Sequence, residues 1–350
     1  MKNKPLKVLL LLASPGPDMS GAAKMGGMEK QVALQASYLS RYSDLHIGLA
    51  AAPSYHKLVG QAIPFFAASM EKSRRHPLLM WQLVKIVRRF NPDIVHAHGH
   101  KAAFLTKILQ PLFKHCKFVA TAHGTKRNNK AVQHLDQVFA VSKGVQSALS
   151  PLPSIILENG VEACQGPQVS KSDVCQSLDL DPALPLVMAA GRLVPVKRYD
   201  ALIRAFKGLP ANLVIWGDGP ERNRLRKLLG RNTLLAGYRA DVRNTLAAAD
   251  MLVISSEREG QSLSMIEALQ SQVPVISTRV SGAEDLLPES CLIDSVEEPA
   301  FRAYLQKQLS RINTLRSEQS ALFDYALNSL TCERLAQQLR EQYYALCPSN

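Results

Sequence analysis

The sequence predicts an α/β protein built from two doubly wound, parallel-sheet domains, and three observations support this. Short apolar runs alternate with longer helical patterns along the whole chain. The alternation lapses near Glu162, in a stretch rich in Gly, Pro, Ser, Asp and Gln, and restarts at Leu186. The 350 residues are long for one core and comfortable for two domains of about 150 to 200 residues each.

In the first domain, residues 1–163, strands are expected at Val8–Ala13, His46–Ala50, Ile94–His98, Lys117–Ala122 and Gln137–Val141. Each is a near-continuous apolar run, as a strand buried on both faces requires. Lys2, Lys4 and Lys7 before the first run imitate a signal peptide. The run is short, however, and passes into Ser14-Pro15-Gly16-Pro17 with no small-x-small cleavage pattern. Helices are expected at Met28–Ser40, opening after Gly26-Gly27, and at Pro77–Phe90, with Pro near its start and Asn91-Pro92 beyond its end. Residues 164–185 read as a linker. The second domain, 186–331, repeats the style with strands Leu186–Ala190, Asn212–Trp216, Thr233–Ala236, Met251–Ile254 and Val273–Ser277. A last helix, about Cys332–Leu346, has no strand after it and is free to pack back on the first domain, as part of 332–350.

Hydrophobic content of 46% with 20% charged residues fits a globular chain and excludes wholesale disorder. No run of 18 apolar residues could span a membrane. The six cysteines, Cys116, Cys164, Cys175, Cys291, Cys332 and Cys347, form no C-x-x-C pair, which points to a reducing compartment. Charge is uneven. Residues 1–160 carry 21 Lys and Arg against 7 Asp and Glu, a net of +14, whereas the remainder is nearly neutral. Such a half suits an anionic partner.

The chemistry concentrates in the second domain. Strand Met251–Ile254 runs through Ser255-Ser256-Glu257-Arg258-Glu259-Gly260 into a helix beginning near Gln261-Ser262-Leu263. Glu259 then sits at the helix mouth and Glu267 about one turn inside. Backbone N–H groups around Gln261 to Leu263 offer a phosphate site, and Glu267 can accept hydrogen bonds from ribose hydroxyls. Strand Leu186–Ala190 ends in Gly191-Arg192-Leu193-Val194-Pro195-Val196-Lys197. Glycine there allows close approach, and Arg192 and Lys197 supply two cations where a leaving diphosphate would gain charge. Taken singly, each of these residues reads first as a cap or a solvated loop charge.

Together, G-R-x4-K at Gly191–Lys197 and E-x7-E at Glu259–Glu267 resemble the retaining glycosyltransferases of the GT-B fold, family 4 (glycosyl transferases group 1). The likeness extends in order through most of the chain. It includes Asp93-Ile94-Val95-His96-Ala97-His98, Thr121-Ala122-His123-Gly124, Val141-Ser142 and Asn159-Gly160-Val161. It continues through Trp216-Gly217-Asp218-Gly219-Pro220-Glu221, Ala236-Gly237-Tyr238, Ala249-Asp250 and Val273–Thr278.

The resemblance implies two Rossmann-like domains facing across a cleft, and a role for each matching residue. Arg192 and Lys197 would hold the donor diphosphate, Glu267 the ribose and Glu259 the transferred sugar. Gly26 and Gly27, preceded by the run Asp18 to Met25, would form the glycine loop over the diphosphate. His123 would lie near the donor sugar, and Gly237, Tyr238 and Arg239 near the base. Gln261 departs from the family, where an aromatic or apolar residue is common, which bears on the donor sugar. The implied reaction is retaining transfer from a UDP- or GDP-sugar, with the leaving phosphate oxygen taking the acceptor's proton and no metal required. The acceptor would be a cell-envelope glycan or glycolipid such as lipopolysaccharide core or capsule.

Two metal-like patterns read otherwise. Asp179-Leu180-Asp181 lies beside Pro182 before a strand and reads as a turn. His96, His98 and His100 alternate without a carboxylate pair and read as lining or packing. Lys72-Ser73-Arg74-Arg75 leads into Pro77–Phe90, a basic amphipathic helix carrying Trp81. It could lie on an anionic leaflet or simply turn Leu79, Leu83, Ile86 and Phe90 into a core. Lys101, Lys107, Lys114, Lys117, Lys126, Arg127 and Lys130 extend the charge. The expected location is the cytoplasm, peripherally on the inner face of the cytoplasmic membrane. Three other readings compete. A GT-B-type nucleotide-sugar epimerase is disfavoured by the paired motifs. A non-catalytic nucleotide-sugar or nucleic-acid binder would show eroded donor residues and more aromatics than 6%. A dehydrogenase lacks G-x-G-x-x-G after the first strand.

Overall fold

The computed structural model describes residues 4–16, 26–58, 63–125, 130–163, 169–239 and 241–348. The run Asp18 to Met25, Lys126, Arg127 and Cys164 lie outside the described residues. The chain divides into two compact units, Met1–Gly160 with Cys332–Asn350, and Val161–Thr331.

The first unit holds strands β1 (Leu6–Leu12), β2 (Leu45–Ala51), β3 (Phe65–Ala67), β4 (Ile94–His98), β5 (Lys117–Ala122), β6 (Gln137–Ala140) and β7 (Ile155–Ile156). They form one sheet in the order β3-β2-β1-β4-β5-β6-β7, with every pairing parallel. The second unit holds β8 (Leu186–Ala190), β9 (Asn212–Trp216), β10 (Thr233–Gly237), β11 (Met251–Ile254), β12 (Val275–Thr278) and β13 (Leu292–Ile293). Their order is β10-β9-β8-β11-β12-β13, again all parallel. Both sheets are doubly wound, and the strand order reverses beside β1 and beside β8.

The apolar runs form strands because both faces of such a sheet are covered. Val8 to Leu12 are all buried, as are Leu213 to Trp216. Registry is pinned by aspartates placed just before strands. Asp93 accepts the backbone N–H of Lys7 at 2.8 Å, Asp136 that of Phe118 at 2.8 Å and Asp250 that of Leu186 at 2.7 Å. Each carboxylate satisfies a strand-opening donor on the neighbouring strand. Two of the recurring strings, Asp93–His98 and Ala249-Asp250, therefore carry sheet assembly in their first or last residue.

Helix Pro77–Phe90 is capped by His76, whose Nδ1 accepts from Leu78 N at 3.2 Å, and ends at Asn91 in the left-handed region. It buries Leu79, Leu83, Ile86, Val87 and Phe90, each worth roughly 1.5–3 kcal/mol. Helix Cys332–Leu346 belongs to the first unit. Leu335, Ala336, Leu339 and Tyr343 enter its core, Arg340 Nε donates to Asp44 Oδ2 at 3.0 Å, and the Tyr344 hydroxyl donates to Asp44 O at 3.0 Å.

Residues 164–185 are not simply a linker. Lys171–Ser177 is a helix whose Val174 and Cys175 are buried in the second unit's core. Its capping box pairs Asp173 N with Ser170 Oγ at 3.1 Å and Ser170 N with Asp173 Oδ2 at 3.4 Å. Seven residues are too few to display a helical period. Asp179 and Asp181 follow it in a turn, with Asp179 at φ +54° and Asp181 Oδ1 accepting from Ala183 N at 2.9 Å.

Candidate active site

In the second unit the site is built where β8, β9 and β11 end, at the switch point that α/β sheets use for ligands. Glycines let the chain ends nest. Gly191 N donates to Trp216 O at 2.9 Å, Leu193 N to Asp218 O at 2.9 Å and Gly217 N to Gly237 O at 2.7 Å. A Cβ on Gly217 would stand 1.9 Å from Gly191 O, and one on Gly219 would stand 2.5 Å from Leu193 O. The string Trp216–Glu221 is thus the brace that holds the Gly191–Lys197 loop. A Cβ on Gly191 would meet the Tyr199 hydroxyl at 2.8 Å and Lys197 Cε at 3.4 Å. The missing side chain makes room for both.

Lys197 ends a short 3₁₀ turn, and its Nζ lies 2.5 Å from Glu259 Oε1. Ser256 Oγ donates to the same oxygen at 2.7 Å, and Ser255 Oγ donates to Lys197 O at 2.8 Å. Lysine and glutamate are therefore fixed to each other and to the β11 exit. Arg192 is exposed. Buried Tyr199 has its hydroxyl pKa pushed up by burial and by the Glu259 carboxylate, so it stays protonated beside the pair.

Helix Leu263–Gln270 opens at the same edge. Ser262 is its N-cap, accepting from Met265 N at 3.4 Å, and Ser264 Oγ reaches back toward Ala190 O at 3.4 Å. Gln261 and Ser262 are buried. The first N–H groups of this helix have no intrahelical partner and carry the positive end of its dipole. Glu267 is 3% exposed, with an Arg243 guanidinium nitrogen 3.8 Å from its Oε1. Arg243 also donates to the carbonyls of Glu162 and Ala163.

Tyr238 is exposed at the β10 exit, whereas Arg239 is committed. It grips Asp241 through two hydrogen bonds, 2.8 and 3.1 Å, and lies 5.6 Å from the Trp216 ring centroid. That pairing holds the Asp241 carboxyl below its usual range.

Sequence reading missed Ser256, Tyr199, Arg243, Thr278 and Gly282. Thr278 Oγ1 donates to Ser256 O at 2.6 Å. Gly282 (φ +78°) presses on the glutamate loop, where a Cβ would meet Gln261 Cα at 2.8 Å. Ser256, inside the glutamate string, and Thr278, which closes the Val273–Thr278 string, could have been flagged. The others come from strand and helix ends with no motif.

The first unit has its own carboxyl-edge cluster. Gly26 is the N-cap and Gly27 the first residue of helix Gly27–Leu39. Ser14, after β1, donates to Glu29 Oε1 at 2.8 Å, and a Cβ on Gly99, after β4, would meet Met28 Sδ at 2.8 Å. The glycine pair thus opens a helix seated against the β1 and β4 exits. His123 follows β5, its Nε2 lying 3.2 Å from His98 Nδ1. His96 Nε2 lies 2.8 Å from Thr121 Oγ1 and its Nδ1 2.6 Å from the Tyr343 hydroxyl. Burial lowers the His96 pKa to about 3, with a contribution from His123, and that of His123 to about 4. His98 is likewise lowered, mainly by burial. All three are neutral at pH 7. Among the described residues no group of three His, Cys, Asp or Glu side chains could hold a metal ion.

Two family models match the chain, one described as glycosyltransferase family 4 over residues 25–162 and the other as glycosyl transferases group 1 over 184–310. A Bacillus subtilis protein named for glycosyl transfer in teichuronic acid biosynthesis is 29% identical over 64% of this chain and 64% of its own. An Escherichia coli protein named UDP-Gal:alpha-D-GlcNAc-diphosphoundecaprenol alpha-1,3-galactosyltransferase is 28% identical over 67% of this chain and 68% of its own. The chain thus spans about two thirds of the length of these curated relatives. The solved Anabaena HepE protein, in complex with UDP-glucose, superposes with a TM-score of 0.80 at 19% identity, covering 97% of this chain and all of that one. The fold and the two matched halves agree: the chain belongs to the GT-B glycosyltransferases of family 4, the glycosyl transferases group 1.

Proposed function

We propose that the protein transfers a sugar, with retention, from a UDP- or GDP-sugar to a cell-envelope glycan or glycolipid, and needs no catalytic metal. The observation that carries this is the Lys197–Glu259 pair, 2.5 Å apart, at an edge shared with Arg192 and the Leu263–Gln270 N-terminus. These groups can bind a diphosphate and the sugar attached to it. As the acceptor oxygen bonds to the anomeric carbon, the bond to the leaving phosphate oxygen breaks and that oxygen takes the acceptor's proton. Arg192, Lys197 and the helix N–H groups stabilise the charge developing there, while Glu259 orients the sugar and Glu267 the ribose. The family resemblance assigns Gly26 and Gly27 to the diphosphate, His123 to the sugar, and Gly237, Tyr238 and Arg239 to the base.

The acceptor assignment draws on the first unit's charge and on the lipid diphosphate in the Escherichia coli relative's name. On helix Pro77–Phe90, Leu78 (42%) and Trp81 (55%) are exposed beside Lys85, Arg88 and Arg89. An apolar tip ringed by cations suits the inner face of the cytoplasmic membrane. No helix among the described residues is long and apolar enough to cross a membrane.

The test is incubation of the full chain with UDP- and GDP-sugars and a bacterial envelope glycolipid extract, following nucleoside diphosphate release and label transfer. Acceptor-dependent release from one donor, with the anomeric configuration preserved, is expected. Inversion, or absence of transfer from every donor, would overturn the proposal.

A further inference from the structure

Two histidines of the first unit, His98 and His123, meet ring to ring, and only one is exposed enough to meet a ligand. His98 is 1% exposed and packs against His96, the rings tilted by 31° with centroids 4.2 Å apart. Its Nδ1 lies 3.2 Å from His123 Nε2, and its own Nε2 is buried with no hydrogen-bond partner among the described residues. His123 is partly exposed at the β5 exit.

Burial keeps both rings neutral, so exactly one of the two facing nitrogens carries the shared proton. If His123 donated, His98 would hold its remaining proton on Nε2, as a buried N–H with no acceptor. If His98 donates, its buried Nε2 is a bare lone pair. Orphaned buried N–H donors are rarer in folded proteins than under-satisfied acceptors. We infer that His98 donates from Nδ1 to His123 Nε2, and so fixes His123 with its proton on Nδ1, presenting a hydrogen-bond donor to the substrate.

His98 is thus a positioning residue acting through His123. The neighbouring ring is held independently, since His96 is satisfied at both nitrogens by Tyr343 and Thr121 whichever way those bonds run. The C-terminal helix thereby supports the ring that His98 packs against. The inference rests on the proposal that His123 contacts the transferred sugar, and what it adds is the polarity of that contact.

Nitrogen-15 NMR of histidine-labelled full-length protein reads the tautomer without any assay of activity. In wild type, His123 should show a protonated Nδ1 and an unprotonated Nε2. His98→Leu removes the donor, and His123 should then shift toward the Nε2–H form while kcat falls roughly tenfold and the donor KM stays within about twofold. His98→Asn places an amide N–H where Nδ1 was and should restore both the tautomer and most of kcat. A wild-type His123 protonated on Nε2, or a tautomer unmoved in His98→Leu, would overturn the inference. An Asn variant as slow as the Leu variant would do so too. If the tautomers behave as stated but His123→Ala turns over normally, the sugar contact fails and the histidine polarity stands.

Discussion

Lys197 and Glu259 are 62 residues apart in sequence and 2.5 Å apart in space, where Ser256 also holds the glutamate. Neither side chain is exposed enough to behave as a solvated surface charge, at 21% and 13%. In the proposed reaction the cation serves the diphosphate while the anion orients the sugar. Lys197→Ala should lower kcat by about 10²–10³-fold, the usual effect of losing one charge-stabilising donor. Adding Glu259→Ala should cost much less than the product of the two single effects, because the residues act as a unit. Steady-state kinetics of the four proteins checks this.

Gly217 tests the brace rather than the chemistry. Its φ of +144° and the 1.9 Å approach of its Cβ position to Gly191 O leave no room for alanine. Gly217→Ala should destabilise the protein by about 2 kcal/mol or more through strain and displacement of the Gly191 loop. Gly124→Ala, with nothing among the described residues within 4 Å of the added carbon, should lie within about 0.5 kcal/mol of wild type. Denaturant unfolding of both variants gives the comparison.

The histidine cluster sets a pH dependence. In the fold, His96 titrates at about 3 and His123 at about 4, against an ordinary value of 6.5. Between roughly pH 6.5 and those folded values the unfolded chain binds protons that the folded chain does not, so stability falls as pH falls through that window. Thermal unfolding at pH 7, 6 and 5 should show a steady loss, and the slope should be shallower in His96→Gln.

Trp81 and its neighbouring cations test the membrane proposal. The ring is exposed, with Lys85 Nζ 3.7 Å from its centroid, so Trp81→Ala should leave the melting temperature nearly unchanged. Combined with Lys85→Glu and Arg88→Glu it should weaken binding to vesicles containing phosphatidylglycerol, by about 1 kcal/mol or more per reversed charge. Binding to neutral vesicles should be weak in all proteins. Cosedimentation at low and moderate salt reads the difference.

Much of the fold was legible because a strand buried on both faces must be an apolar run, and β1, β4, β5, β8, β9 and β11 are such runs. The edge strands Phe65–Ala67, Ile155–Ile156 and Leu292–Ile293 were not, since two or three residues cannot show a pattern. Helix Lys171–Ser177 escaped for the same reason, leaving its residues read as linker. In the site, the cation and glutamate strings stood out because each is local. The pairing of Lys197 with Glu259 was invisible, as was the approach of Arg243 to Glu267. Such contacts depend on how strand ends converge, and sequence spacing does not encode that. The helix Pro77–Phe90 satisfies both sequence readings. Its apolar stripe is core, and Trp81 with the cations is left on the surface.

The central claim is that the second unit's edge binds a nucleoside diphosphate through Glu267 and the groups around it. Titration calorimetry of the full chain with UDP, GDP and ADP tests this most directly. One nucleotide should bind in preference to the others, and Glu267→Ala should weaken it by at least about tenfold through the loss of hydrogen bonds to the ribose. No binding by any of the three, or binding indifferent to Glu267→Ala, would contradict the claim.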